Sequence, residues 1–188
     1  VAHLHYVLIG GMVFPVIAGT YYYFPLVFGR RLSERLGKWV FWLLFAGFNI
    51  AFMPMHVTGL GGMPRRIYTY AAGQGFDVLN LVSTIGSLTL GAGVLFFIYN
   101  IWHTHWSKNK PGPAPLDPWD ARALEWLTTS PPKPHNFDAT PVVGHLDEFF
   151  HRKYEDRGTD GHHDFVKVAT AEDLIAEQEA HAEDVHLP

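Results

Sequence analysis

Three stretches of this chain carry no Asp, Glu, Lys or Arg: residues 1–29, 39–64 and 78–107, which are 29, 26 and 30 residues long. At a helical rise of about 1.5 Å per residue, roughly 20 residues cross the ~30 Å hydrocarbon layer of a bilayer. Each stretch is therefore long enough to span. Buried helices of a large soluble protein would need a polar face to meet water, and three such stretches in succession leave none. A secretory leader is a poor match for the first stretch, which is too long and lacks a basic start. Tyr21, Tyr22, Tyr23, Trp39, Trp42, Trp102 and Trp106 stand near the ends, where amphipathic rings favour the headgroup region.

Charge divides the chain. Of its 32 charged residues, 8 lie in 1–107, six of them basic, and 24 lie in 108–188, sixteen of them acidic. The 17 % charged composition thus averages two unlike halves. The absence of cysteine excludes disulfides, thiolate metal sites and thiol nucleophiles. A net charge of −4 offers no basic surface for nucleic acid. The chain opens on Val1, not Met, directly in apolar sequence, and reads as a fragment.

Arg30, Arg31, Arg35 and Lys38 lie between the first two stretches, and Lys108 and Lys110 follow the third. Positive charge accumulates on the cytoplasmic side, which puts that connection and the tail in the cytoplasm and residues 62–76 on the opposite face. Arg65 and Arg66 break the pattern. They are either ordinary surface charge or partners for fixed anions, since guanidinium groups grip carboxylates in bidentate fashion.

His3 and His5 sit inside the first stretch. Helical residues two apart point about 200° from each other, so this pair cannot chelate one ion and can instead serve two partners on opposite sides of one helix. An ionisable side chain inside a membrane is a functional candidate, and neutral imidazole is a usual axial ligand of haem iron. The alternative is interfacial placement or hydrogen bonding between helices. That alternative is the reading for His103 and His105, which have the same spacing beside Ser107 and Lys108. His56, two residues past Pro54, reads as a hydrogen-bonded residue of a proline kink.

The blocks Val1-Ala2-His3-Leu4-His5-Tyr6-Val7-Leu8, Asn49 to Pro54, His56, Gly59-Leu60 and Gly62-Met63-Pro64-Arg65-Arg66 together resemble the last part of subunit I of the haem–copper respiratory oxidases. Asp117-Pro118-Trp119, Leu124-Glu125-Trp126, Ser130-Pro131-Pro132 and His135-Asn136-Phe137 are similar to that family's bacterial tail. The resemblance covers about residues 1–143. It implies an all-α membrane protein: three transmembrane helices, about 1–28, 34–61 and 75–106, the last three of a twelve-helix subunit, followed by a Pro-rich, partly helical cytoplasmic tail. Residues 1–107 form the expected haem-binding portion, 108–146 a Pro-rich segment docking on it, and 147–188 an acidic, partly helical extension.

By the same resemblance His3 ligates the iron of a high-spin haem and His5 that of a low-spin haem, both haems of a type, and Arg65 and Arg66 meet haem propionates. The implied activity is cytochrome c oxidase: oxygen reduced to water with electrons from cytochrome c and coupled proton translocation. Subunits II and III, the lipid bilayer and the bacterial inner membrane are the implied partners and setting. The copper ligands lie upstream of the matching region, so the chain alone is not expected to reduce oxygen. Leu4, Met55 and Ile67 depart from residues common in the family, Phe, Gln and Tyr respectively. A quinol oxidase of the same superfamily is the nearest alternative, and a non-catalytic membrane scaffold is the alternative from another class.

The tail contains Pro111, Pro113, Pro115, Pro118, Pro131, Pro132, Pro134 and Pro141, which keep it extended. Trp119, Trp126 and Phe137 are expected to dock on the oxidase. Residues 147–157 read as one short amphipathic helix, and Thr170 as the cap of an acidic helix reaching about Asp184. His145, His151, His162, His163, His181 and His186 lack helical ligand spacing and read as solvated. Gly59, Gly61 and Gly62 read as a turn, and Gly86, Gly91 and Gly93 as points of close helix approach.

Overall fold

A computed structural model describes residues 1–107, 110–137, 140–158 and 162–185, and three of its helices are long and apolar enough to cross a membrane: Ala2–Phe28, Glu34–Leu60 and Asp77–Trp106. Lys108, Asp160, Gly161 and His186 fall outside those residues. The chain divides into two compact units, Val1–Tyr22 with Leu32–Pro111, and Tyr23–Arg31 with Gly112–Pro188.

In the first unit the spans follow local signals. The second span starts at Ser33, whose hydroxyl accepts from the Leu36 amide at 3.4 Å, with Glu34 next to the positive end of the helix dipole. It runs through Pro54 and ends at Gly61, whose amide bonds the Val57 carbonyl. The first span is not uniform. Ala2–His5 and Phe14–Phe28 are α-helical, while Tyr6–Val13 winds as a π-helix, the Phe14 amide reaching back to the Ile9 carbonyl. Such wide turns are rare, and this one begins beside His5.

The second and third spans pack backbone to backbone. A Cβ on Gly86 would lie 2.2 Å from the Ala51 nitrogen, and one on Gly47 2.4 Å from the Leu90 nitrogen. The order of these pairs runs oppositely along the two helices, which are antiparallel. Gly93 approaches Leu44 in the same register, whereas Gly91, read from sequence as another such point, has nothing within 4 Å among the described residues. Phe48, Ala51 and Phe52 form the core of this unit, and Tyr6, Ile9 and Phe14 of the first span and Leu90 of the third pack on it.

In the second unit the Pro-rich segment is extended and wraps a small core of Trp126, Leu127 and Phe149. Lys153 is fully buried there and donates to Asp117, to Asp120 at 2.9 Å and to the Ala121 carbonyl at 2.7 Å. This anchor corrects the reading of 147–157 as one helix. The helix covers Glu148–Lys153 only, and the chain turns extended at Tyr154 to form strand β1, Tyr154–Asp156, antiparallel to β2, Phe165–Lys167. Tethering Lys153 to a different segment stops the helix, and Tyr154 then donates to Asp120 from the strand. Thr170 caps the last helix, Ala171–Val185, exchanging hydrogen bonds with Asp173.

Candidate functional site

The histidines of the first span sit where that span meets the second. His3 is exposed and has no hydrogen-bond partner among the described residues. His5 is half-buried, and its ring stacks on Phe52, with centroids 4.3 Å apart and planes 16° apart. The two side chains therefore differ in surroundings, one against the second span and one away from it.

His5 carries a further constraint. Its Nδ1 lies 2.9 Å from the Val1 carbonyl oxygen. A carbonyl can only accept, so Nδ1 holds a proton, and in the neutral ring Nε2 then keeps the lone pair. Metal-bound histidines commonly donate their second nitrogen to a carbonyl in this way, which fixes tautomer and ring orientation. The chemistry of the His5 donor thus fits an axial position on a metal, with Nε2 as the donor atom.

Next to His5, the half-buried Tyr6 ring lies 4.5 Å from Phe48 and 5.5 Å from His56, and its hydroxyl donates to Asn49 Oδ1 at 3.0 Å. Asn49 in turn donates from Nδ2 to the Phe45 carbonyl at 2.8 Å. Asn49, Phe52 and His56 lie three and four residues apart on one face of the second span. The Nδ1 atom of His56 is buried and has no partner among the described residues. Neither Tyr6 nor Asn49 was singled out from sequence as functional. A signal was there: Asn49 is a strongly polar side chain in a charge-free span, and such residues mark interhelical bonds.

Arg65 and Arg66 stand beyond the end of the second span, on the same end of the unit as His56. The Met63 amide bonds the Thr58 carbonyl at 3.0 Å, and Gly62 takes φ +90°, a conformation open to glycine, so the chain turns sharply before the arginines. Both guanidinium groups are exposed, and neither forms a hydrogen bond or ion pair among the described residues. They do not touch His3 or His5. Their donors are available to anions from outside the chain.

The tail histidines form no comparable centre. No three His, Asp or Glu side chains converge as a metal site among the described residues. The rings of His145 and His151 lie 4.2 Å apart, and His151 faces Asp147. His163 bonds Asp156, and that bond, with the Gly158 and Asp164 amides, holds the Asp156 carboxyl down at about 2. This set closes the β1–β2 turn.

Three apolar spans, with a polar and aromatic cluster between the first two, define a multi-pass membrane protein. Residues 1–89 match the family described as cytochrome c and quinol oxidase polypeptide I. The chain is 44 % identical over 159 residues to cytochrome c oxidase subunit 1 of Alkalihalophilus pseudofirmus, an alignment covering 85 % of this chain and 25 % of that protein. It is 45 % identical over 157 residues to quinol oxidase subunit 1 of Bacillus subtilis, covering 82 % and 24 %. It is also 50 % identical over 144 residues to a putative cytochrome c oxidase subunit 1-beta of Streptomyces coelicolor, covering 76 % and 25 %. The chain belongs to this family, subunit I of the haem–copper oxidases. It spans about a quarter of the length of the curated relatives it matches.

Proposed function

We propose that this chain forms the haem-carrying end of the catalytic subunit of a bacterial cytochrome c oxidase, which reduces oxygen to water and couples that reaction to proton translocation. His5 would hold the iron of a low-spin haem and His3 that of a high-spin haem, with Arg65 and Arg66 meeting propionate carboxylates. The haems, when bound, supply the redox-active iron. The chain supplies axial nitrogens, their orientation and the counter-charge.

The observation that carries this reading is the hydrogen bond from His5 Nδ1 to the Val1 carbonyl, which leaves Nε2 as a free donor. Two ligands so near each other on one helix would hold two haems close together. Charge-free spans within a bilayer would keep bulk water from such a site, which suits the handling of reactive oxygen species. Arginines beside propionates favour their ionised form. Copper ligation belongs to residues outside this chain, which is inactive alone. The tail lies in the cytoplasm, subunits II and III are partners, and the inner membrane is the site.

The test replaces His3 and His5 separately in the full-length oxidase and records absorbance of each haem. Loss of the low-spin signal on His5→Ala, and of the high-spin signal on His3→Ala, supports the assignment. Unaltered spectra from both variants would leave a non-catalytic scaffold. The relatives include a quinol oxidase at similar identity, so a quinol donor is the second reading. Steady-state oxygen uptake with reduced cytochrome c against a reduced quinol separates the two.

A further inference from the structure

We infer that Tyr6 and Asn49 act as one positioning unit that sets the orientation of the His5 imidazole toward its haem. The inference rests on the proposed ligand role of His5 and goes beyond it. His5 itself has two restraints, its Nδ1 bond to Val1 within the first span and its stack on Phe52 of the second. The first travels with the helix. The second is a ring stack with no hydrogen bond to fix the direction of the imidazole.

The hydrogen bond from the Tyr6 hydroxyl to Asn49 Oδ1 is a direct, directional link between the first two spans, and it lies one residue from the ligand. Its acceptor is itself fixed. Because Asn49 Nδ2 is committed to the Phe45 carbonyl, the amide cannot flip without losing that bond, and Oδ1 is the atom presented to Tyr6. The rings of Phe48, 4.5 Å away, and His56, 5.5 Å away, limit the movement of the Tyr6 ring. The wide π turns begin at Tyr6, so α-helical regularity does not tie His5 to the lower part of its own span. The rotational setting of the first span at His5 therefore comes from the interhelical bond. Ligand orientation and outer hydrogen bonding tune a haem's electronic state.

In the full-length oxidase, Tyr6→Phe keeps the packed ring and deletes the donor, and Asn49→Leu keeps the volume and deletes the acceptor. Each is expected to retain the low-spin haem at the parent haem-to-protein ratio, with a shifted absorption band and midpoint potential, while the high-spin haem is unmoved. The double variant should shift no further than either single one, since both remove the same bond. A merely structural role would lower thermal stability or haem content and leave the spectrum of the retained haem unchanged, and that result overturns the inference. Should Tyr6→Phe not accumulate, Asn49→Leu carries the same readout. His5→Ala separates the two claims. If it keeps the low-spin signal, the ligand assignment fails and the positioning role with it. If it loses that signal while Tyr6→Phe and Asn49→Leu leave band and potential at parent values, the positioning role alone fails.

Discussion

Gly86 and Ala51 are in backbone contact: a Cβ on Gly86 would fall 2.2 Å from the Ala51 nitrogen and 2.7 Å from its Cα. Backbone atoms cannot rotate out of the way as a flexible side chain can, so a methyl at residue 86 must push the second and third spans apart. Helix association within a bilayer depends on close packing, because lipid tails solvate apolar side chains as well as other helices do. Overpacking of this kind costs about 1–3 kcal/mol. Gly86→Ala is expected to lower the midpoint of thermal haem release from the detergent-purified full-length protein. A Gly86→Ala midpoint equal to that of the parent would contradict the contact.

A second prediction concerns Asn100, fully buried at the far end of the third span. Its Nδ2 donates to the Tyr21 hydroxyl at 3.0 Å and to the Ser33 carbonyl at 3.1 Å, and its Oδ1 accepts from the Ser33 amide at 3.1 Å. One side chain thus joins all three spans at one level. Asn100→Ala strands the Ser33 amide and carbonyl, and leaving buried polar groups unmade costs about 1–3 kcal/mol each at most. Asn100→Asp keeps the acceptor and loses both donors, so it is expected to destabilise as well. Urea or detergent titration followed by haem absorbance measures the effect, and a parent-like curve for both variants would remove Asn100 from the account.

The spans were legible from the sequence because the absence of charge over such lengths has one physical solution, and the Ser33 cap and terminal glycines mark their ends. That His3 and His5 have different surroundings follows from the helical turn between them. The Tyr6–Asn49 bond was not legible, because periodicity does not say which residues of two helices meet. Gly47 was missed on the same ground: a glycine's value depends on the backbone opposite it. The tail hairpin was hidden by Lys153, a residue that reads as surface charge until Asp117 and Asp120, more than thirty positions earlier, are seen to bury it.

That lysine gives a third prediction. Asp117 is almost fully buried beside Lys153, so removing the ammonium leaves a carboxylate with no counter-charge. Breaking one side of a buried pair costs about 3–5 kcal/mol, more than the pair itself contributes. Lys153→Ala is expected to open residues 112–158 of the second unit to limited proteolysis while the spans stay protected. Pairing Lys153→Met with Asp117→Asn, which removes both charges, should recover much of that resistance. Equal protection of Lys153→Ala and the parent would refute the anchor.

Low pH probes the same unit through its carboxylates. Burial acts to raise the Asp120 carboxyl, yet the Tyr154 hydroxyl and the Lys153 ammonium outweigh it and bring it from 3.8 to about 2. Arg152, together with the Gly144 and His145 amides, brings Glu148 from 4.5 to about 2. A carboxyl whose value is lower in the folded chain than in the unfolded one binds fewer protons when folded. It therefore contributes stability that is complete above the unfolded value and is lost as the pH falls through the folded one. The second unit is expected to resist pepsin down to about pH 4 and to become cleavable as the pH falls from there toward 2. Arg152→Ala removes the leading partner of Glu148 and should move the onset of cleavage to higher pH. A digestion profile that is flat across this window, or an Arg152→Ala onset identical to the parent's, would show that these carboxylates do not hold the tail together.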